Sequence, residues 1–549
     1  MASNSALRKG LADTAAVARV SASSVRSRRT LYRRFAELLG PKNGTKKERV
    51  VILGSGWAGY AFARTLDPAK YERVVISPRS YFVFTPLLAS TAVGTLEFRT
   101  ILEPIRRLTG IRYHQGWADD VDFTRKVVRV EENRIPDELA SRTIVPPPPS
   151  QQSPGQQEHP REVLVPDPRA KGPMLDVPYD KLVVAVGAYS QTFGISGVRE
   201  HAHFLRDIGD ARRIRLRVLA LFEQCASPSI SEADRRRLLH FAVVGGGPTG
   251  IEFAAELHDL VHEDLARIYP PEVVSCVRIT VYDIAPKVLP MFDRELAEYA
   301  TRTFARQGID VRTEHHLLGI RRDEGEGSLG GLMLKIKEYG DEEVPAGMVV
   351  WSTGLMQNPL VEKLGRKAMA LPGREAEGEA FRLEKHPRTG SIMTDSHLRA
   401  QVVTEAGSTT SASPSEPPAA GKEERKSETL PDVFVIGDCS VIIDQPTLPK
   451  TAQVASQQAV YLAKMLNKTA GASLDDARPF RFRNLGTMAY LGSWKAIHQK
   501  SSTDGLKGWA AWVLWRTAYL TKSMSIRNKI LVPVYWFCSW AFGRGISRF

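Results

Sequence analysis

The chain has 549 residues, 43% of them hydrophobic and 25% charged, which supports a large buried core in two to four domains and excludes wholesale disorder. No window supplies the roughly 18–20 uninterrupted apolar residues of a membrane-crossing helix, so a polytopic membrane protein is excluded. The net charge of +14 lies at the two ends, leaving residues 35–504 formally neutral and without the broad basic face that nucleic-acid binding demands.

Residues 1–34 carry eight basic side chains against one acid, Asp13, and are rich in Ser and Ala. That is the composition of a mitochondrial or plastid transit peptide, or else of an ordinary basic tail. We expect a leader over residues 1–48. The run Val50–Leu53 then predicts a strand leading into Gly54-x-Gly56-x-x-Gly59 and a helix through Leu66. In such a unit the first glycine permits the tight turn, the second lets a pyrophosphate approach the backbone, and the third lets helix and strand pack closely. Further strands are expected at Val74–Ile76 and Lys181–Val186, with a Pro/Gln-rich insertion at 133–175 that cannot bury enough to order itself.

A second unit follows about 190 residues later. The strand Phe241–Val244 enters Gly245-x-Gly247-x-x-Gly250 and another helix, and the next strand, Ile279–Tyr282, ends at Asp283. A carboxylate there can accept bonds from an adenosine ribose and would repel the 2′-phosphate of NADPH, favouring NADH. Either loop alone could be a glycine-rich turn; two complete units in one chain predict one resident and one exchangeable dinucleotide. A strand is also expected at Met348–Trp351, and residues 404–430 read as a second insertion. Beyond it the strand Val433–Ile436 ends in Gly437-Asp438, where the acid can bond polyol hydroxyls such as a flavin ribitol or simply cap a helix. The alternation of strands and helices predicts an α/β fold with parallel sheets.

The C-terminal residues 505–549 hold seven basic side chains, no acid, and five of the nine Trp: Trp509, Trp512, Trp515, Trp536 and Trp540. This suits a helical segment lying in an anionic membrane interface, and also a docked helix pair or a dimer contact. Run 530–542 has 13 residues and contains Pro533, so it is expected to lie on a bilayer rather than cross it. Cys225, Cys276, Cys439 and Cys538 are scattered, with no redox pair and no metal-ligand spacing. Neither a disulfide relay nor a bound metal is expected.

The order of the two glycine loops and the late Gly-Asp strand resembles that of flavoprotein pyridine-nucleotide oxidoreductases. In these the first loop holds FAD, the second NAD(P)H, and Gly187 and Gly354 match the crossover segments. The blocks VVISPRSYFVFTPLLAS (74–90), GGGPTGIEFAAEL (245–257), AQVASQQA (452–459) and NLGTMAYLGSWKAI (484–497) resemble more narrowly the type II, or alternative, NADH:ubiquinone oxidoreductases of fungal and plant mitochondria. That resemblance implies two Rossmann-like dinucleotide-binding domains of the two-dinucleotide-binding flavoprotein type plus a C-terminal membrane-surface segment. The domains would be FAD-binding over 49–200, NADH-binding over 201–385, an FAD-domain return over 386–480, and a membrane-anchoring or dimerising segment over 481–549.

The resemblance further implies FAD, with NADH and ubiquinone as co-substrates, and no proton pumping. It places Ser77, Arg79, Pro86 and Leu87 with Gly54, Gly56, Gly59 and Asp438 around FAD, and Gly245, Gly247, Gly250 and Asp283 around NADH. Glu252 would handle protons or contact quinone, unless it is merely a helix first-turn acid, and Gln453 and Gln457 match the quinone-site motif. Gln458 and Ser456 stand where that motif commonly has Glu and can have His. A homodimer on the matrix face of the mitochondrial inner membrane is the expected setting, since Phe35–Arg49 is too short and charged for an apolar span. The competing expectations are a soluble reductase serving a protein acceptor and a non-catalytic NADH-sensing protein.

Overall fold

The computed structural model describes residues 47–132, 173–325, 328–371, 374, 379–404, 427–469, 476–501 and 505–547. The expected leader falls almost wholly outside these residues, as do 133–172 and 405–426 of the two expected insertions. Both insertions are shorter than expected at their ends, because Met174 and Ser427 already lie in strands.

The first sheet starts from β1 (Glu48–Leu53), whose Val50, Val51, Ile52 and Leu53 are all fully buried. A continuous apolar run of this kind fits a central strand covered on both faces. Helix α1 (Trp57–Thr65) follows and leads to β2 (Tyr71–Ser77), which pairs in parallel with β1. β3 (Ile111–Asp122) joins the far edge of β2 in parallel, and β4 (Val127–Glu132) and β5 (Met174–Pro178) extend that edge antiparallel. β6 (Lys181–Val184) lies on the other side of β1.

The chain then builds a second sheet, wholly parallel, from β7 (His203–Phe204), β8 (His240–Val244), β9 (Arg278–Tyr282), β10 (Ile309–Arg312) and β11 (Met348–Trp351), in spatial order 7-11-8-9-10. Helix α2 (Ile208–Cys225) opens on a capping box in which Asp207 and Asp210 satisfy each other's backbone ends. Helix α3 (Pro248–Asp259) follows β8 and runs into a π-helical turn at Leu260–Asp264.

Helix α4 (Pro359–Arg366) already packs with the first sheet's core through Leu360, Val361 and Leu364. The chain has therefore left the second sheet some thirty residues before the expected boundary at 385. β12 (Arg399–Thr404) and β13 (Ser427–Val435) extend the first sheet, with β13 parallel to β6 and the short strands Phe381–Leu383, Ile392–Thr394 and Ser440–Ile442 beyond them. α5 (Ala452–Thr469) then packs along α1. Crossing between the bodies are the antiparallel pair Ala188–Ser190 and Leu355–Gln357.

After a three-stranded antiparallel sheet (Thr487–Tyr490, Ala496–Gln499, Gly505–Gly508) come α6 (Trp509–Lys522) and α7 (Ile526–Phe542). These helices are docked, not loosely appended. Trp515, Val532 and Trp536 enter the same core as the second sheet, and buried Asn528 donates to Glu103 Oε1 at 2.8 Å. The opposite side of α7 stays bare: Ile526 is 79% exposed, Trp540 67% and Phe542 83%. α7 is a continuous 17-residue helix through Pro533, about 25 Å long, and among the described residues no helix is long and apolar enough to cross a membrane. Trp515→Ala should cost about 3–5 kcal/mol in urea unfolding, the range for a large aromatic removed from a core; a loss under about 1 kcal/mol would mean that α6 is not part of it.

Candidate functional site

The two glycine loops repeat one another in backbone detail. Gly54 has φ +107° and Gly245 φ +112°, values that a side chain would strain. A Cβ on Gly59 would stand 2.0 Å from the carbonyl oxygen of Gly54, and one on Gly250 2.0 Å from that of Gly245, so each helix rests directly on its turn. The middle glycines differ in kind. At Gly56 and Gly247 an added Cβ meets no protein atom within 4 Å. Their Cα hydrogens face open space, as close approach by a ligand backbone requires.

A cleft of about 440 Å³ opens from the first loop. Its walls include Gly54, Gly56, Ser77, Arg79, Gly187 and Asp438 among the expected residues, and Thr249 at the start of α3 brings the second loop's edge to it. Ser77 is buried and its Oγ lies 2.8 Å from Ser55 Oγ. Arg79 pairs with the buried Asp207 at 3.3 Å. Asp438 sits inside a 3-10 turn (Gly437–Cys439) instead of capping a helix. Its carboxyl accepts no hydrogen bond among the described residues, and burial pushes it up while Arg206 and Lys450 oppose that shift. An Arg206 Nη nitrogen is buried without a partner. The open Gly56 cradle, the unengaged Asp438 carboxyl and this orphan donor fit an adenine dinucleotide with a polyol linker, and so fit FAD.

Three expected placements change. Pro86 and Leu87 do not line the cleft: the 3-10 turn at Thr85–Leu87 points Thr85 into it and buries Leu87 in the core. Gln453 and Gln457 do not line it either, and both side-chain amides are committed to backbone. Gln453 accepts from Leu485 N at 2.9 Å and donates to Gly486 O at 3.2 Å, while Gln457 accepts from Arg483 N and donates to Arg483 O. They clip segment 483–486 to α5 and are positioning residues. Gln458, one place on, is buried and accepts from Gly437 N at 2.7 Å, fixing the turn that presents Asp438. Arg206, Asp207, Trp57 and Tyr189 also border the cleft and were not anticipated, since neither arginine nor aromatic spacing there forms a recognisable pattern.

At the second loop, Asp283 accepts from the backbone N–H of Gly246 and from Ala285 N at 2.7 Å, joining the end of β9 to the glycine turn. Gly354 has φ +71° and closes against the Phe193 ring.

Glu252 is not a first-turn surface acid. It is 8% exposed on α3, and one carboxyl oxygen accepts from Tyr490 N at 3.1 Å and from the Trp515 indole at 3.2 Å. Burial pushes it up to about 8 against these two donors, so it is protonated at neutral pH. Glu256, one turn on, accepts from Ser90 and from Thr95 at 2.9 Å, and Asp259 accepts from the Tyr490 hydroxyl at 2.6 Å. All four cysteines are unpaired, and Cys439, beside Asp438, is buried with its thiol pushed up to about 11. No cluster able to hold a metal occurs among the described residues.

Comparison with known proteins gives a consistent result. The family described as "Pyridine nucleotide-disulphide oxidoreductase" matches residues 48–373, and "NDH2 C-terminal domain" matches 484–545. A Dictyostelium discoideum protein named "Probable NADH dehydrogenase" is 36% identical over 92% of both chains. An Arabidopsis thaliana protein named "External alternative NAD(P)H-ubiquinone oxidoreductase B3, mitochondrial" is 32% identical over 93% of this chain and 92% of its own. The solved structure of NDH2 from Plasmodium falciparum in complex with NADH superposes with a TM-score of 0.70 at 22% identity, covering 91% of this chain and 100% of that one, which is a likeness of fold.

Two outcomes test this geometry. Gly56→Val should fold, because its Cβ has room, yet purify without flavin absorbance; a yellow variant with full flavin content would refute the cradle. For Glu252 the sign is set by its raised value: the unfolded carboxyl ionises first, so the folded state loses stability from this group as pH rises from the ordinary glutamate range to about 8. Glu252→Gln should therefore gain more in Tm relative to the parent at pH 8 than at pH 5, and equal shifts at both would show that the carboxyl is not buried as described.

Proposed function

The chain belongs to the pyridine nucleotide-disulphide oxidoreductases, in the branch of the alternative NAD(P)H–ubiquinone oxidoreductases, and on that premise we propose that it oxidises NADH and reduces ubiquinone at a membrane surface without pumping protons. The observation that carries this reading is the paired cradle: two open glycine turns on two parallel sheets, with the edge of the second, Thr249, forming part of the wall of the first one's cleft.

Bound FAD supplies the two-electron chemistry between a hydride donor and a quinone. The protein's residues do the rest. Gly54, Gly56 and Gly59 admit the FAD pyrophosphate, Asp438 meets the ribitol, and Arg79 and Arg206 supply positive charge to the cleft wall. Gly245, Gly247 and Gly250 admit NADH, and Asp283, already oriented by two backbone N–H groups, meets its ribose. Glu252 holds a proton where α3 meets the C-terminal segment, available to a quinone that gains two protons on reduction. Gln453 and Gln457 hold segment 483–486, which leads into the strand carrying Tyr490. The scattered thiols, three of them buried, fit direct transfer with no cysteine relay.

The bare row on α7, Ile526, Ile530, Val534 and Phe537 with Trp540 and Phe542, is the surface that would lie in a membrane interface. The basic leader supports a mitochondrial setting, which we place at the matrix face of the inner membrane, with the protein as a homodimer.

The holoprotein should be bleached by NADH and recoloured by a short-chain ubiquinone in stopped-flow absorbance, with no acidification across the membrane in proteoliposomes. Absence of NADH bleaching would refute the reading. Gln453→Ala should slow recolouring by quinone about tenfold while leaving the bleaching rate within about twofold; equal slowing of both would remove its link to the quinone side. Phe537→Ser with Trp540→Ser should lose sedimentation with anionic vesicles while keeping full flavin content, and undiminished sedimentation would rule out α7 as the membrane face.

A further inference from the structure

Away from the flavin cleft, and sharing no lining residue with it, a cavity of about 240 Å³ lies between α6, α7 and the π-helical turn after α3. Its distinguishing feature is Arg516. The guanidinium is clamped between two indoles, 4.7 Å from the Trp512 ring centre and 4.2 Å from that of Trp536. Among the described residues it makes no ion pair and no hydrogen bond, and its Nε is buried without a partner. The indole N–H of Trp512, on the same wall, is likewise buried and unpartnered.

The acids of the cavity do not compensate this charge. Glu263 and Asp264 are both taken by Arg544, at 2.8 Å for Glu263, and Arg544 also donates to Thr95 at 2.9 Å. Counting Arg267, the lining holds three arginines against two acids. Burial lowers the Arg516 pKa, and the charges of Glu256 and Glu263, neither of which bonds to it, oppose that shift only in part. Two buried donors without acceptors, the Arg516 Nε and the Trp512 N–H, cost free energy until a ligand satisfies them.

We propose that this cavity binds a phosphate anion, with Arg516 and the Trp512 N–H as donors. A guanidinium packed against two rings loses little freedom on binding. A tetrahedral anion offers acceptors to both that edge and the indole N–H, whereas a neutral quinone carbonyl would leave the charge uncompensated. The mouth is rimmed by exposed aromatics, Trp494 at 43% and Trp540 at 67%, beside Phe537. An apolar rim around a cationic floor suits the phosphodiester of an anionic lipid, whose chains would follow the bare side of α7. Only that choice of source rests on the membrane-surface reading above; the site itself does not.

The test is calorimetric titration of the flavin-loaded holoprotein in solution, without vesicles. Dihexanoyl phosphatidylglycerol below its micellar concentration, inorganic phosphate, and the matching dihexanoylglycerol are titrated in turn. Saturable binding of the phospholipid, with the diacylglycerol silent, is the expected result; comparable binding of inorganic phosphate would uphold the site and make the free anion its occupant. Arg516→Gln should weaken binding roughly tenfold to a hundredfold, the span of one charge-assisted hydrogen bond. Should that variant fail to retain flavin, Trp512→Phe keeps the ring stack and removes one donor, and about a fivefold loss is expected. Equal binding of the diacylglycerol, binding by neither phosphate compound, or unchanged affinity in both variants would overturn the proposal. Because NADH bleaching is not the readout, failure here is separable from failure of the redox assignment.

Discussion

A protonated carboxyl with no cation beside it holds the functional parts together. Glu252 leaves α3, the helix of the second glycine loop, and its oxygen takes hydrogen bonds from the backbone of Tyr490 and the indole of Trp515. Each partner comes from the C-terminal segment, so the nucleotide helix and that segment meet at a polar contact inside an apolar core, with Asp259 and Asp264 adding others further along. Removing either donor would leave a buried acceptor unsatisfied, which costs more than the bond itself contributes. The same burial keeps the proton on the carboxyl at neutral pH. The bonds that join the two segments and the burial that raises the carboxyl's pKa thus belong to one group.

The glycine loops were legible in the sequence because their constraint is local. A positive φ at Gly54 and Gly245, and the contact of Gly59 and Gly250 with their own turns, arise within six residues. Asp283 was legible for a related reason: parallel pairing of β8 and β9 forces the end of one strand beside the turn after the other. The parallel order itself followed from the alternation of short strand runs with helical stretches.

What the sequence hid depends on distant partners. Gln453 and Gln457 carry a motif, yet their amides are satisfied by the backbone of 483–486, whose position is set by tertiary packing. Pro86 and Leu87 are displaced from the cleft because one 3-10 turn rotates Thr85 into it. The environment of Glu252 comes from a residue 263 positions later. The C-terminal segment was recognisable by its tryptophans and basic residues, but not how deeply its inner face is built into the core.

That last contact has a bearing on biogenesis. The partners that shield Glu252 stand 238 and 263 residues beyond it, so a chain that has not yet made those contacts exposes a buried acid and the apolar seat of Trp515. Contacts so remote along the chain close late and slowly. A chain broken anywhere between α3 and α6 would therefore bare the same acid, a local mark of a missing distant partner.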